Sequence, residues 1–284
     1  MGIKKKLLLI LLSFWVSGCS WMVTSVTEQF ANNLSSAILN QNDPETVREA
    51  APAYLIMVDG LIEGNPEQQG LLLTGARLYG AYVVIFVDDA ARAQRLTDKA
   101  WDYSQRALCL EHPKGCKTFR KPLAEYIEFL NTLDKDDIAV LYSFGASWAS
   151  WIQTHADSWD ARADIPKVQA TMQRVVALDD AYNQGEPHMY LSVLSIILPP
   201  MLGGKPDQAR ASFEHANDLA KGRNLMFKVI YAETYGRMLF NQTLHDNLLN
   251  EVLEADPEEP GLTLTNHIAQ LKAQKLLESS AEYF

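Results

Sequence analysis

Two cysteines in the first half of the chain have a spacing that suits a disulfide. Cys109 and Cys116 are separated by six residues, and exported proteins commonly oxidise such an even pair. The bridge would join a helix end to its loop and stabilise the fold by about 2.5 kcal/mol, because it restricts the unfolded chain. A zinc site that also uses His112 is the alternative, although Pro113 interrupts the set and the spacing is not typical of zinc ligands.

The third cysteine follows an export signal. Lysines at positions 4–6 precede a short apolar run over residues 7–16, which is the pattern of a signal peptide and is too short for a spanning helix. The Val-Ser-Gly-Cys segment at 16–19 resembles a bacterial lipobox, in which the cysteine thiol receives a diacylglycerol and the peptide is cut before the cysteine. We therefore expect removal of residues 1–18 and lipidation of Cys19. The alternative is an ordinary signal peptide with an incidental cysteine.

Lipidation sets the expected location of the protein. Several acyl chains hold a protein stably on a membrane without a spanning helix. Ser20 follows Cys19 at the position where an aspartate would signal retention in the inner membrane of enteric bacteria. The sequence therefore predicts a protein anchored on the periplasmic face of the outer membrane of a Gram-negative bacterium. We expect residues 19–33 to form the lipidated terminus and tether, and residues 34–284 to form a single helical domain.

Catalytic motifs are absent from the sequence. It contains no Gly-rich phosphate loop, nucleophile elbow, His-Glu-x-x-His motif or Cys-x-x-Cys motif. Asp134, Asp136 and Asp137 lack the turn glycine and the remaining ligands of a calcium loop, so we interpret them as a solvent-exposed helix start. The histidines are scattered, and we interpret each as a surface or helix-end residue: His112, His155, His188, His215, His245 and His267. We expect no enzymatic activity, no metal site and no cofactor.

The charge of the chain argues against nucleic-acid binding. The formal net charge of −10 becomes −13 when the three lysines of the signal peptide are removed. An acidic chain repels phosphate backbones, and no cluster of Lys and Arg follows residue 6. We therefore expect neither nucleic acid nor an anionic membrane surface as a partner, with the lipid anchor as the only membrane attachment.

Local composition predicts an all-α fold. Runs rich in Ala, Leu, Glu, Gln and Arg alternate with Pro and Gly punctuation. Asp43 and Pro44 suit the start of a helix that breaks or kinks near Pro52, and Asp134 suits the cap of a later helix. A further helix is expected over residues 225–240.

A helical hairpin at residues 196–216 indicates the architecture. Proline and glycine pairs mark its turn, and Ala209, Phe213 and Ala216 lie on one face of its second helix. The same three-point spacing recurs at two other places: Ala100, Ser104 and Ala107, and Ala170, Arg174 and Ala177. Because these matches have no constant period, we expect an irregular tetratricopeptide-like, right-handed array of about six antiparallel helical hairpins.

One predicted helix has almost no charged face. Between Ile138 and Ile152, small residues fill the circumference that the apolar residues leave, which is typical of a helix in the middle of a bundle. Central packing alone would explain this composition. The functional interpretation is a hydrophobic ligand cavity lined by the aromatic residues of this region: Phe144, Trp148, Trp151 and Trp159.

Several segments resemble one family over essentially the whole mature chain. They are Leu202-Gly203-Gly204-x-Pro206-x2-Ala209-x3-Phe213-x2-Ala216, Gly222-Arg223-Asn224-Leu225, Leu248-Leu249-x-Glu251-Val252-Leu253 and Asn266-x-Ile268-Ala269-Gln270-x2-Ala273. Together with Trp148-Ala149-x-Trp151-Ile152 and the lipobox, they are similar to the T component (TatT) of tripartite ATP-independent periplasmic (TRAP) transporters. The chain departs from that pattern at Asp180, which replaces the proline of an expected Leu-Asp-Pro turn.

The resemblance implies a periplasmic lipoprotein of irregular tetratricopeptide-like hairpins that assembles as a homotrimer, with a cavity or pore in each subunit. It also implies binding to the periplasmic solute-binding (P) subunit of the transporter and a hydrophobic or organic-acid ligand. One alternative is an outer-membrane scaffold lipoprotein that assembles other proteins through its helical repeats. Another is an all-helical wall-degrading enzyme, for which no glutamate lies in a recognised motif.

Overall fold

Helices form the regular structure of the described part of the chain. The computed structural model describes residue 33, residues 36–198, residue 201 and residues 203–284, and no β-strand occurs within them. The α-helices are α1 (Pro44–Gly64), α2 (Gln69–Phe86), α3 (Ala90–Glu111), α4 (Leu123–Leu130), α5 (Ile138–Thr154), α6 (Trp159–Ala163), α7 (Ile165–Leu178), α8 (Glu186–Ile196), α9 (Pro206–Leu219), α10 (Leu225–Tyr231), α11 (Gln242–Glu254), α12 (Thr263–Glu278) and α13 (Ser280–Tyr283). Short 3₁₀ turns span Thr118–Arg120 and Tyr182–Gly185. The predicted all-α class is confirmed.

Helix α1 begins at the predicted cap but does not break where predicted. The Asp43 Oδ1 atom accepts a hydrogen bond of 3.0 Å from the Glu45 backbone N–H, and Pro44 occupies the first turn. The predicted break near Pro52 is wrong, because α1 continues through it, and the alternative of a kink there stays a prediction. A proline forfeits one backbone hydrogen bond, but the helix keeps a continuous buried face: Val47, Leu55, Val58 and Ile62.

A polar contact joins the first three helices. The Asp59 carboxylate on α1 accepts hydrogen bonds of 2.7 Å from the Tyr79 hydroxyl on α2 and of 2.7 Å from the Tyr103 hydroxyl on α3. Lys99 on α3 forms an ion pair with the same carboxylate. Burial raises the pKa of Asp59, but the three donors together outweigh burial and lower it.

Helix α5 lies at the centre of the larger of two hydrophobic clusters. It packs against α2, α3 and α7, and its side chains Leu141, Phe144 and Trp148 are at most 1% exposed. The predicted central helix is therefore confirmed. Among the described residues, α2 alone is long and apolar enough to cross a membrane by length and composition. It packs against α1 and α3, and Leu72 and Ala76 on it belong to the same cluster.

The hairpin around residues 196–216 is formed by α8 and α9. The Lys205 N–H donates to the Ser195 carbonyl at 2.7 Å, and the Ser192 hydroxyl donates to the Ala209 carbonyl at 2.7 Å. The predicted face of α9 is buried in the second hydrophobic cluster: Ala209, Phe213 and Ala216. The two prolines of the predicted turn lie outside the described residues.

Two helix predictions need correction. The third small-residue match does not mark a buried face, because Ala177 is exposed and α7 instead buries larger side chains: Val168, Thr171, Met172 and Val175. Burial free energy scales with apolar area, so these side chains decide the orientation of α7.

After Tyr231, the chain widens into a π-helical turn at Ala232–Gly236 instead of continuing as one α-helix. The irregular, right-handed array of about six antiparallel helical hairpins stays a prediction.

The predicted N-terminal features lie almost entirely outside the described residues. Residues 1–18 and Cys19 fall there, and residue 33 alone of the tether over residues 19–33 is described. The signal peptide, the lipidation and the domain boundaries therefore stay predictions.

Candidate ligand groove

An aromatic groove opens where α5 meets α3, α6 and α7. Its volume is about 630 Å³, which lies in the range of small-molecule sites. The aromatic lining residues are Trp101, Phe119, Trp148 and Trp151. The polar lining residues are Gln105, Arg120, Asp160, Asp164 and Lys167. The groove therefore combines an apolar wall with a charged side.

The close packing of α5 on α7 depends on Gly145. A Cβ atom at this position would lie 2.9 Å from Met172 Cε and 2.9 Å from Thr171 Cγ2. The Thr171 side chain shares a hydrogen bond of 2.7 Å with the Tyr126 hydroxyl, which fixes its position. A residue without a Cβ thus lets α7 approach α5, and this approach holds the charged side of the groove beside the tryptophans.

Four aromatic rings form the apolar wall. Trp101 stacks on Trp148 with ring centroids 5.1 Å apart and on Trp151 with centroids 6.5 Å apart. Phe119 meets Trp148 in an edge-to-face arrangement at 5.8 Å. Stacked and edge-to-face pairs are both favourable for aromatic rings. The Trp151 Nε1–H also donates to Asp98 Oδ1 at 2.9 Å, so the wall is organised before any ligand arrives.

The charged side of the groove contains a lysine that is paired with an aspartate, and an exposed arginine. Lys167 Nζ donates to Asp164 Oδ1 at 3.0 Å and to the Phe119 carbonyl at 2.8 Å. Arg120 lies over the Phe119 ring, 5.4 Å from its centroid, and its side chain is exposed. A guanidinium can pair with a carboxylate through two parallel hydrogen bonds. Arg120 is therefore the group that could recognise an acidic ligand.

The structure separates the four predicted cavity residues. Trp148 and Trp151 line the groove. Phe144 is 0% exposed and packs against Trp148 behind the wall. Trp159 lies outside the lining, is 79% exposed, and has the Arg162 guanidinium 4.4 Å from its ring centroid. The chain leaves α5 and begins α6 at Trp159, so helical spacing no longer relates Trp159 to Trp151.

Two wall residues were missed by sequence reasoning. Trp101 lies one helical turn before Ser104 on the buried face of α3. The spacing of Ala100, Ser104 and Ala107 indicated that face, but Trp101 was not assigned to the cavity from the sequence. Phe119 lies in a 3₁₀ turn, where helical periodicity gives no signal.

A disulfide ties the loop before Phe119 to the end of α3. The structure joins Cys109 to Cys116, with their Cα atoms 4.6 Å apart. The bridge closes a short loop three residues before Phe119, and so limits the movement of this wall residue. His112, the third ligand of the alternative zinc site, instead makes a hydrogen bond with Asp137, with 2.7 Å between Nε2 and Oδ1.

The acidic segment before α5 is not entirely the solvent-exposed helix start that the sequence predicted. Asp137 is 8% exposed, so a solvent-exposed helix start is wrong for this residue. Its second oxygen accepts a hydrogen bond of 2.8 Å from the Asp134 N–H. The predicted cap at Asp134 is also wrong, because the first acidic residues close a turn and α5 begins only at Ile138.

Two histidines are buried and so are not surface residues, although both lie in the first turn of a helix, which agrees with the helix-end interpretation. His188 is 8% exposed and His245 is 0% exposed. The Nε2 atoms of His188 and His215 lie 2.9 Å and 2.8 Å from the two carboxylate oxygens of Asp180. The hydrogen bond from His215, followed by that from His188, lowers the pKa of Asp180 against the opposing effect of burial. The structure therefore brings together three polar residues that the sequence did not connect.

A family-level match covers nearly the whole helical domain. The family model described as TRAP transporter T-component matches residues 40–284. The chain belongs to the TRAP transporter T-component family. Comparison with curated proteins finds no match.

Membership confirms the resemblance seen in the sequence. A T component has an accessory role in a TRAP transporter and works with the other parts of that transporter. Such a component is not a known class of enzyme.

Proposed function

We propose that this T component is a periplasmic lipoprotein that binds the solute-binding (P) subunit of its TRAP transporter and holds a small apolar or organic-acid ligand in the aromatic groove. Family membership supports the transporter role. The ligand proposal rests on one observation: stacked indoles, Trp101, Trp148 and Trp151, form a preorganised wall that shares its groove with the Arg120 guanidinium.

The two sides of the groove suit the two ends of such a ligand. The apolar body would lie against the exposed part of Trp151, where it displaces water from an indole face. A carboxylate at the other end would pair with Arg120. The groove is open to solvent at its rim, and a transport accessory must release what it captures, so the affinity is expected to be modest.

Calorimetric titration with octanoate and with 1-octanol tests this assignment. The two probes share an apolar body but differ in charge. Trp151→Ala should weaken the binding of both probes at least about tenfold, because the loss of roughly 1.4 kcal/mol of contact free energy corresponds to that factor. Arg120→Gln should weaken octanoate selectively, while Trp159→Ala, on an exposed ring outside the groove, is the matched control. Absence of binding to the wild-type chain, or equal binding by all the variants, would refute the assignment.

The tip of the α8–α9 hairpin supports a protein-contact role. Ile197 and Leu198 are 41% and 42% exposed, and Met201 is 89% exposed. Apolar side chains grouped at one exposed turn are typical of protein contacts. We assign this tip to the P subunit, so Met201→Glu should weaken that complex while leaving octanoate binding unchanged.

The anchoring proposal rests on the lipobox at Cys19. We propose that the mature chain is held on the periplasmic face of the outer membrane by lipids on this residue. Cys19→Ser should abolish palmitate labelling and release soluble protein from the membrane fraction. Retained labelling would contradict the proposal.

The homotrimer is also a proposal. Exposed apolar side chains on α1 support it: Ile56 is 71% exposed, and Met57 and Leu61 are each 46% exposed. Covering these side chains with a second copy would remove apolar area from water. Sedimentation should show a trimer that Ile56→Glu dissociates, whereas a wild-type monomer would end this part of the proposal.

A further inference from the structure

We propose that Asp180, His188 and His215 form a binding site for a divalent transition-metal ion, with zinc as the best match. Their ligand atoms all lie within 4.8 Å of one another. The three residues come from three places in the fold: the connection after α7, the first turn of α8, and the middle of α9. The site is separate from the aromatic groove, and the proposal does not depend on the transport role.

Two of the three distances between ligand atoms need little change to accept a metal ion. The two imidazole rings are perpendicular with centroids 4.5 Å apart, so their nitrogens approach the carboxylate from different directions. Zinc ligands at about 2.0–2.1 Å in a tetrahedron are about 3.3 Å from one another. The nitrogen–oxygen distances of 2.9 Å and 2.8 Å must therefore open slightly. The Asp180 side chain is 55% exposed and has room to rotate.

A left-handed backbone segment brings the three residues together. Asn183, Gln184 and Gly185 all have positive φ angles, 49°, 57° and 87°. Such angles are unfavourable for residues with a side chain, and here they turn the chain back so that Asp180 reaches α8. Gly185 lies directly on α9, where a Cβ would be 3.1 Å from Leu219 Cβ. This contact fixes the position of α8 relative to the helix that carries His215.

The donor set favours zinc and its neighbours over calcium or magnesium. Two imidazole nitrogens and one carboxylate suit Zn²⁺, Ni²⁺ and Cu²⁺, whereas Ca²⁺ and Mg²⁺ prefer oxygen ligands alone. One ligand, His188, is held in place because it is 8% exposed, while the other two ligands face solvent. Solvent would complete the coordination of the bound ion.

A bound ion would also link the two hydrophobic clusters. Helix α8 contributes Leu194 to the larger cluster and Met189 and Ile196 to the second one. The ion would connect α8 to α9 and to the segment after α7. Metal binding should therefore raise the melting temperature of the chain, since a ligand that binds only the folded state stabilises it.

Calorimetric titration of the tag-free full chain with zinc chloride, after treatment with a chelator, tests the proposal. We expect one zinc ion per chain, and a dissociation constant at least about tenfold higher for His215→Gln and for Asp180→Asn, because each removes a ligand. Both substituted side chains are solvent-exposed, so these variants should stay folded. His267→Gln is the matched control, because it removes a similar His–carboxylate pair, with 2.9 Å between His267 Nε2 and Glu258 Oε1.

Cobalt substitution gives an independent readout. The visible spectrum of bound Co²⁺ should show a low-coordinate site in the wild-type chain and in His267→Gln, and should be lost in His215→Gln. Zinc that fails to bind stoichiometrically, or that binds the His215 and Asp180 variants as tightly as the wild-type chain, would show that the three residues form only a hydrogen-bonded cluster.

Discussion

Replacing Trp148 and Trp151 one at a time distinguishes the core of the wall from its ligand-facing surface. Trp148 is 1% exposed and packs against Trp101, Phe119 and Phe144. Trp148→Ala removes a fully buried indole and should lower the free energy of unfolding by about 3–5 kcal/mol. Trp151 is only partly buried, and its truncation loses stacking and the hydrogen bond to Asp98. Trp151→Ala should therefore cost about 1–2.5 kcal/mol.

Urea unfolding followed by far-ultraviolet circular dichroism measures both effects without relying on tryptophan fluorescence. Trp159→Ala is the control: its ring is 79% exposed, and the change should stay within about 0.5 kcal/mol. The combined prediction is that Trp148→Ala mainly lowers stability and Trp151→Ala mainly lowers octanoate affinity. If Trp151→Ala destabilised the chain as much as Trp148→Ala and left ligand binding unchanged, the aromatic wall would be part of the hydrophobic core alone. The assignment of the groove as a ligand site would then be refuted.

Three further changes test the packing that positions the groove. Gly145→Val should destabilise the chain by about 1–3 kcal/mol in urea unfolding, because the valine side chain would force α7 away from α5. Gly80 is a helical glycine with nothing within 4 Å of an added Cβ, so the control Gly80→Ala should instead stabilise the chain by about 0.5–1 kcal/mol. Equal changes in stability for the two variants would refute the claim that Gly145 allows the close approach of α7 to α5. Asp59→Asn should cost about 1–3 kcal/mol at neutral pH. Because the pKa of Asp59 is lower in the fold than in the unfolded chain, the stabilisation by its carboxylate is present above the unfolded pKa of about 3.9 and is lost as the pH falls through the lower folded pKa. A stability difference between the wild-type chain and Asp59→Asn that persisted in strong acid would contradict this. Replacing Cys109 and Cys116 by alanine should cost about 2.5 kcal/mol, and mass spectrometry of the unreduced wild-type chain should find the two joined, whereas free thiols would refute the bridge.

The sequence predicted the all-α class and the central helix because both follow from the composition and spacing of residues within one segment. Leu141, Phe144 and Trp148 repeat at helical spacing, and α5 is buried as that spacing requires. The face of α9 followed in the same way from its two alanines and Phe213. Single-residue signals were weaker: Pro52 did not end α1, because the apolar face on either side of it outweighs one missing hydrogen bond.

The groove and the histidine cluster depend on contacts between segments that are distant in sequence. Trp101 and Trp148 belong to different helices, and no local pattern shows that their rings stack. Asp180 and His215 are 35 residues apart, and they meet only because the left-handed segment before α8 reverses the chain. Trp159 was assigned to the cavity from its nearness in sequence, but the start of α6 places it outside the lining.

The most direct test of the central proposal is binding between the purified full chain and the P subunit of the same transporter. Surface plasmon resonance with the immobilised P subunit should show saturable binding that Met201→Glu weakens and that Trp159→Ala leaves unchanged. A wild-type chain that does not bind the P subunit, in the presence or absence of octanoate, would contradict the proposal and favour a scaffold lipoprotein with other partners.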